Sequence, residues 1–207
     1  MLKVFEIYKS IQGESSWVGQ PCVFIRLTGC DLRCSWCDTE EAFSGGQWIS
    51  IQDILIKVES YQCRLIEVTG GEPLLQKETP MLIQSLIQNE YSVLVETGGH
   101  LDISSISKEA AVIMDIKCPA SGESLHNRWD NLSKLKPVDE IKFVISDKSD
   151  YEWAKKILQT KLIGLTNIIH FSPVHEKLPS EELTKWILMD NLPVRLGIQL
   201  HKYLNVP

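Results

Sequence analysis

The sequence predicts an α/β fold in which strand–helix units repeat along one chain. Short runs rich in Val, Ile and Leu are typical of parallel strands that are buried on both faces. Helical patterns lie between most of these runs, and the strands recur at spacings of about 20–40 residues. No linker or low-complexity segment divides the 207 residues, so we expect a single domain over residues 1–207.

Seven short apolar stretches predict the strands, in the order CVFIRLTG (22–29), RLIEVTG (64–70), SVLVETG (92–98), AVIMDIK (111–117), EIKFVIS (140–146), NIIHFSPV (167–174) and VRLGIQLHK (194–202). Apolar residues at helical spacing predict helices over 50–60, 78–90, 127–136, 148–160 and 180–190. Ser50 and Ser180 are predicted N-caps, because a serine hydroxyl can accept a hydrogen bond from an amide of the first turn.

The composition narrows the functional classes. A net charge of −6 argues against a nucleic-acid or anionic-membrane surface, since both require basic patches. The chain has no long uncharged apolar run, and its start, MLKVFEIYKSIQGES, lacks the pattern of a signal peptide. We therefore expect a cytoplasmic protein, in which clustered thiols are metal ligands or catalytic groups more often than disulfides.

Each predicted strand ends in a polar or glycine-rich turn. In a parallel barrel these ends form one rim, and the chemistry sits on that rim. One such turn would need no functional explanation. Seven in succession, with Cys, Glu, Asp, Lys, His and Gln among them, predict an active site.

Three cysteines occur within eight residues of the segment TGCDLRCSWCDT (28–39), in the spacing C-x3-C-x2-C. Structural zinc takes four closed ligands, usually in C-x2-C pairs, and catalytic zinc favours His and carboxylate ligands. The remaining Cys22, Cys63 and Cys118 form no second pair, and we interpret them as buried or incidental thiols. A 4Fe–4S cluster normally takes four cysteines, so three would leave one iron open to a reactant.

The cysteine spacing, with Trp36 before the last cysteine and TGGEP at 69–73, resembles the signature of radical S-adenosylmethionine (SAM) enzymes. The resemblance implies an incomplete (βα)6-type barrel, a partial TIM barrel. It also implies that Cys30, Cys34 and Cys37 hold a 4Fe–4S cluster and that SAM chelates the open iron. The residues that it assigns to SAM are Trp36, Cys37, Asp38, the backbone of Gly70, Gly71 and Glu72, and the strand ends Asp115, Ile116, Lys117, Phe171, Ser172 and Pro173.

Further stretches resemble the 7-carboxy-7-deazaguanine synthase family, from residue 5 to residue 207: SIQGES (10–15), FIRLTGC (24–30), CDT after the cluster motif and QLHKYLNVP at the end. The resemblance implies a lyase of 7-deazapurine (queuosine) biosynthesis that contracts the ring of 6-carboxy-5,6,7,8-tetrahydropterin and releases ammonia. It implies Mg²⁺ as a further cofactor and a homodimer. The reductant would be an electron donor such as flavodoxin or ferredoxin.

A carboxylated pterin needs an anchor for its carboxylate and acceptors for its N–H groups. Arg26 is the predicted anchor, because a guanidinium binds a carboxylate through two hydrogen bonds. Glu14 and the Ile11–Gln12–Gly13 backbone are predicted to bind the aminopyrimidinone edge. Strand ends should bring Thr69, Gln199 and His201 to the same mouth, although His201 could also be structural.

Two further expectations concern Thr39 and the end of the sequence. The resemblance assigns Thr39 to Mg²⁺, whereas the sequence alone permits a helix N-cap there. We expect Tyr203, Leu204 and Val206 to fold over the barrel mouth and to bring the α-carboxylate of Pro207 to the substrate. Ser15 departs from the Q-G-E-G pattern of the family, so a loop that needs a positive φ at this position would be altered.

Two other functions remain open at this point. A glycyl-radical-enzyme activase is also a radical SAM enzyme, but it needs an open groove and typically carries D-G-P-G where this chain has SIQGES. A non-catalytic iron–sulfur or zinc module predicts a fourth cysteine ligand and leaves TGGEP unexplained.

Overall fold

The computed structural model describes all 207 residues. Its strands are β1 (Leu2–Ile11), β2 (Pro21–Leu27), β3 (Gln47–Ile49), β4 (Leu65–Gly70), β5 (Ser92–Thr97), β6 (Ala111–Asp115), β7 (Glu140–Ile145), β8 (Ile168–Pro173) and β9 (Arg195–Leu196). Its α-helices are α1 (Ile51–Glu59), α2 (Thr79–Gln88), α3 (Lys148–Thr160), α4 (Ser180–Met189) and α5 (Leu200–Leu204). None of these helices is both long and apolar enough to span a bilayer.

All nine strands form one sheet in the order β3-β1-β2-β4-β5-β6-β7-β8-β9. The seven strands from β2 to β9 in this order are parallel, whereas β1 is antiparallel to both β2 and β3. No pairing joins β9 to β3, so the sheet is open. This arrangement confirms the predicted α/β fold with an incomplete parallel barrel.

The side chains of each parallel strand alternate between two faces of the sheet, as the pleat of a strand requires. In β2, Val23 and Ile25 join the main core of 34 buried residues, which includes apolar side chains from α1 to α4. Phe24 lies on the opposite, inner face in a small second cluster with Leu94 and Ile113. Burial on both faces explains why the strands are almost continuously apolar in sequence.

Most predicted elements are present, and Ser50 caps α1 by accepting a hydrogen bond from Asp53 N at 3.1 Å. The prediction for Ser180 was wrong, because Pro179 occupies the N-cap position and Ser180 is the first residue of α4. In place of the predicted helix at 127–136 the structure has only the short 3₁₀ turn Trp129–Lys134.

The predicted strand at 194–202 was also largely wrong. Only Arg195 and Leu196 pair, with β8 as their one neighbour, and the chain then turns into α5. The amide of Leu200 donates to the carbonyl oxygen of Gly13 at 2.9 Å, which diverts the chain from the sheet to the loop after β1. Strands β1 and β3, which were not predicted, are antiparallel additions at the opposite edge and carry many polar residues.

The loop between β1 and β2 extends from the edge strands towards the far end of the sheet. Trp17 packs against the small inner cluster, and the amide of Ser16 donates to the Glu140 carboxylate at the start of β7. Arg195 on β9 donates to the Ser16 hydroxyl at 2.9 Å. The loop therefore links β1 and β2 near one edge of the open sheet to β7 and β9 near the other edge.

Candidate active site

A cavity of about 670 Å³ opens at the carboxyl ends of the parallel strands, where the turns were predicted to meet. It is lined by every predicted site residue except Ile116 and Phe171: Ile11, Gln12, Gly13, Glu14, Arg26, Cys30, Cys34, Trp36, Cys37, Asp38, Thr39, Thr69, Gly70, Gly71, Glu72, Asp115, Lys117, Ser172, Pro173, Gln199, His201 and Pro207. Alternation along the strands places Ile116 and Phe171 on the outer face, in the main core.

The three cysteines of the motif carry free, half-buried thiols. Their loop is held by Glu123, which accepts from the Arg33 amide at 2.6 Å, and by the Arg33 guanidinium, which donates to the Cys30 carbonyl at 2.8 Å. No three Cys, His, Asp or Glu side chains converge closely enough to ligate a single metal ion.

The TGGEP turn packs directly on the cysteine loop. The Glu72 amide donates to the Gly29 carbonyl at 2.8 Å, and a Cβ on Gly71 would lie 2.7 Å from the Cβ of Cys30. Gly70 has a φ of +144°, a conformation that side chains rarely adopt. The turn therefore needs both glycines to seat the cysteine loop as well as to leave its backbone open to a ligand.

The Glu72 side chain stabilises the TGGEP turn through its own hydrogen bonds. Its carboxylate accepts from the amides of Leu74 at 3.0 Å and Gly98 at 2.8 Å and from the Thr97 hydroxyl at 2.9 Å. Burial raises the pKa of Glu72 despite these donors. Only the backbone of this residue is thus available for the role in SAM binding that the resemblance assigns to it.

The cavity wall at the end of β6 carries a buried carboxylate oxygen without a hydrogen-bond partner. Asp115 Oδ2 accepts from Lys117 Nζ at 2.8 Å, whereas Oδ1 is buried and has no partner. An unpaired buried acceptor costs about 1–3 kcal/mol, so a ligand that brings a donor to this wall would be favoured. The hydroxyl and amino groups of SAM are such donors, and the residues therefore fit this cofactor.

A chain of hydrogen bonds, which we call the polar ring, runs around the cavity. The Thr69 hydroxyl donates to Glu96, Lys142 bonds both Glu96 and Glu14, and Gln199 bonds both Glu14 and Asp38. The ring joins side chains from β4, β5, β7, the loop after β1, the segment before α5 and the cysteine loop. Two predicted substrate residues, Thr69 and Glu14, thereby contact Glu96 and Lys142, which were not predicted.

A buried carboxyl lies below the ring. Glu67 is 4% exposed and accepts a hydrogen bond from the Gln12 side chain, whose own oxygen accepts from the Glu14 amide at 3.0 Å. Burial and the nearby Glu96 carboxylate raise the pKa of Glu67 well above its ordinary value. Gln12 thus connects the floor of the cavity to the loop that carries Glu14.

Arg26 reaches the cavity from β2 with its guanidinium already oriented. Nε donates to Glu6 Oε1 at 2.8 Å, and one terminal nitrogen donates to the Tyr8 hydroxyl at 2.8 Å. Arg26 therefore forms an ion pair with Glu6 and still lines the cavity. The second terminal nitrogen has no protein partner and remains available to a ligand.

The end of the chain reaches the cavity by a different route from the one predicted. Val206 and Pro207 line it, but Tyr203 is 62% exposed and Leu204 is 50% exposed, so neither covers the mouth. His201 also lines the cavity, from helix α5 rather than from a strand end.

Two loop residues were singled out from the sequence. Ser15 has a φ of +60°, which confirms that its position requires a positive φ. Thr39 stands at the N-cap position of the 3₁₀ turn Glu40–Phe43, but its hydroxyl donates to Asp38 Oδ1 at 3.0 Å rather than accepting from the turn. A capping role therefore does not account for Thr39, which lines the cavity and carries a hydroxyl of the hard-oxygen type that Mg²⁺ accepts.

Comparisons with known proteins show similarity in sequence and in fold. A sequence profile of the Radical SAM superfamily matches residues 24–159. A 7-carboxy-7-deazaguanine synthase from Koribacter versatilis is 43% identical over 100% of this chain and 98% of its own length. The protein of the same name from Chlorobaculum tepidum is 42% identical over 98% of this chain and 94% of its own length.

The crystal structure of QueE from Escherichia coli shares the fold, with a TM-score of 0.80 over 97% of this chain and 94% of that chain at 24% identity. The sequence relatives favour the predicted function over an activase or a non-catalytic module. Superfamily membership supports the predicted 4Fe–4S cluster and SAM. The chain belongs to the 7-carboxy-7-deazaguanine synthase family of the radical SAM superfamily.

Proposed function

We propose that this chain converts 6-carboxy-5,6,7,8-tetrahydropterin into 7-carboxy-7-deazaguanine, with loss of ammonia, as a step of 7-deazapurine biosynthesis. The observation that carries the proposal is the polar ring, whose residues all line the cavity that the three cysteines also line. A cavity of about 670 Å³ is in the usual range for a site that encloses a small ligand.

Cys30, Cys34 and Cys37 would hold the 4Fe–4S cluster. When bound, the cluster and SAM supply a carbon radical that removes a hydrogen atom from the substrate. Burial raises the pKa of all three thiols, and they would bind the cluster as thiolates. Asp115 and Lys117 would bind the polar groups of SAM. Oδ1 of Asp115 is buried without a hydrogen-bond partner and can accept from a SAM donor.

The substrate would lie between Arg26 and the polar ring. The free terminal nitrogen of Arg26 can bind the substrate carboxylate, and the existing bonds to Glu6 and Tyr8 keep the guanidinium plane fixed. Glu14 offers carboxylate oxygens to the N–H groups of the aminopyrimidinone edge. Because the two ends of the pterin differ in polarity, this arrangement admits one orientation.

We further propose a Mg²⁺ ion at Thr39, where it would contact the substrate carboxylate and favour one rearrangement as a Lewis acid and template. The reductant is proposed to be flavodoxin or ferredoxin, the assembly a homodimer and the location the cytoplasm. None of these is needed for the binding roles of Arg26 and Glu14.

An anaerobic assay of the reconstituted protein tests the proposal. With the carboxytetrahydropterin, SAM, Mg²⁺ and a chemical reductant, 7-carboxy-7-deazaguanine and ammonia should form in equal amounts. Omission of SAM or of the reductant should abolish product. Cleavage of SAM without formation of the deazaguanine would exclude this substrate.

A further inference from the structure

Lys142 is a buried cation in the middle of β7 and belongs to none of the sequence motifs. Its side chain is 10% exposed and points to the inner face, where it lines the cavity. A lysine is almost never fully buried unless it is paired. Its partners should therefore explain why it is there.

Lys142 binds two carboxylates at once. Nζ donates to Glu14 Oε2 at 2.9 Å and also to Glu96 Oε1. The second oxygen of each carboxylate has a donor of its own: Gln199 Nε2 lies 2.9 Å from Glu14 Oε1, and the Thr69 hydroxyl lies 3.4 Å from Glu96 Oε2. Each carboxylate is therefore held through both oxygens and has a fixed orientation.

The surroundings show why a cation is needed between them. Several elements place titratable or charged groups around Lys142: Glu14 on the loop after β1, Glu67 on β4, Glu96 on β5, Asp115 and Lys117 after β6, His170 on β8, Asp38 on the cysteine loop and His201 on α5. Burial disfavours the Lys142 cation, but Glu14 and Glu96 outweigh this and hold the pKa of Lys142 well above its ordinary value. Burial acts on Glu96 too, and Lys142 overcomes it to lower the pKa of that carboxyl.

We propose that Lys142 is a positioning residue for the substrate: it holds Glu14 and Glu96 as a fixed pair of hydrogen-bond acceptors for the N–H edge of the pterin. This inference rests on the proposed function. Without the cation, two carboxylates would share a buried cavity, and like charges at such a distance favour the uptake of one proton. A protonated carboxyl carries an O–H donor in place of one acceptor oxygen. That oxygen can no longer accept freely from an N–H group of the substrate, so binding weakens.

Three variants of the reconstituted holoenzyme test the role. Lys142→Met removes the charge and keeps most of the volume, and Lys142→Arg keeps the charge. Lys136→Met is the matched control, because Lys136 also pairs with a fully buried carboxylate, Asp139, at 2.7 Å, yet neither residue lines the cavity. The probe is 6-carboxypterin, which shares the aminopyrimidinone edge and the carboxylate and reports its binding by its own fluorescence.

For Lys142→Met we expect the Kd of 6-carboxypterin at neutral pH to rise by about tenfold or more, because an acceptor to the ligand is lost. The ratio of its Kd to that of the wild type should shrink between about pH 6 and about pH 9, since the shared proton leaves as pH rises. Lys142→Arg should bind 6-carboxypterin more tightly than Lys142→Met at neutral pH. The ratio of its Kd to the wild-type Kd should not change with pH. The Kd of SAM should change by less than roughly twofold in both variants, and Lys136→Met should match the wild type in every measurement.

A ratio for Lys142→Met that does not change with pH would overturn the role, as would equal losses of pterin and SAM affinity in both Lys142 variants, because these indicate a structural defect. If Lys142→Met does not fold, the affinities for 6-carboxypterin and for SAM are compared in Lys142→Arg alone, and equal losses of both would overturn the role. Wild-type protein that forms the deazaguanine while both Lys142 variants bind 6-carboxypterin normally would refute this inference alone. Wild-type protein that neither binds 6-carboxypterin nor forms product would overturn the proposed function and this inference with it.

Discussion

The imidazole of His201 packs directly against Gly13. A Cβ built on Gly13 would come within 2.8 Å of His201 Cγ and 3.0 Å of the His201 backbone nitrogen. Together with the hydrogen bond from Leu200 to the Gly13 carbonyl, this contact seats α5 on the loop after β1. Two segments at opposite ends of the sequence thus form one wall of the cavity.

Gly13→Ala should therefore displace α5 and weaken substrate binding. We expect the Kd of 6-carboxypterin to rise by about tenfold, whereas cluster content should stay at the wild-type level. Fluorescence titration and iron analysis measure the two effects. Gly19→Ala is the control: Gly19 lies in the same loop and its φ of +88° disfavours alanine, but a Cβ there meets nothing within 4 Å. An equal loss of affinity in Gly19→Ala would show that any disturbance of the loop, rather than the contact with His201, is responsible.

Replacing Cys30, Cys34 or Cys37 by Ala should abolish the visible absorbance of the reconstituted cluster and the cleavage of SAM. Replacing Cys22, Cys63 or Cys118 should leave both intact, since these buried thiols do not line the cavity. Absorbance spectra and SAM-cleavage assays compare the six variants. A Cys34→Ala protein that cleaves SAM at the wild-type rate would refute the assignment.

Arg26→Lys should weaken substrate binding by about 1.5–3 kcal/mol, because a lysine ammonium cannot reproduce the guanidinium that bonds Glu6 and Tyr8 while it donates to the substrate carboxylate. The affinity for SAM should change little. The control is Arg64→Lys: Arg64 lies over the ring of Tyr91 at 5.4 Å, much as Arg26 lies over Tyr8 at 5.7 Å, but outside the cavity. Titrations with both ligands separate the effects, and equal losses of both affinities in Arg26→Lys would indicate misfolding.

Ser15→Gly should raise the free energy of unfolding by about 0.5–1 kcal/mol, because a left-handed backbone costs serine more than glycine. The gain is reduced by the loss of the Ser15 hydroxyl, which accepts from the Trp17 amide at 3.3 Å. Urea denaturation measures the change. Ser44→Gly is the control: Ser44 has an extended backbone with a φ of −145°, so glycine there should lower stability. A less stable Ser15→Gly protein would contradict the strain argument.

Thr39→Ala should lose much of the increase in activity that Mg²⁺ produces after chelation, because the hydroxyl is the proposed ligand. Ser35→Ala is matched to it, since its hydroxyl lies in the same loop but bonds the Ser121 carbonyl at 3.2 Å. Product formation measured against Mg²⁺ concentration tests both. An unchanged titration in Thr39→Ala would leave the residue without a metal role.

Much of the site could be predicted because its residues follow strands in the sequence. The ends of parallel strands meet at one rim whatever the details of packing, so Cys30, Thr69, Asp115 and Ser172 were placed correctly from local patterns. The cysteine spacing and TGGEP needed no tertiary information, since each motif is contained in one turn.

Glu67, Glu96 and Lys142 were missed although the sequence contained a signal for them. The strands were interpreted as continuously apolar, whereas every second residue of a strand faces the same side. Alternation places Glu67 with Thr69, and Lys142 with Val144, on the inner face. A charge within an otherwise apolar strand was the sign of a functional inner surface.

By itself the sequence determined the parallel α/β order, the cysteine motif and the family, because strand propensity, helix periodicity and ligand spacing are local properties of the chain. Only the tertiary structure decided which partners those residues have. The contact of Gly13 with α5, the polar ring and the placement of Ile116 in the core join segments far apart in sequence. Such contacts depend on how the open sheet curves and how its two ends are bridged, and no local pattern encodes that geometry.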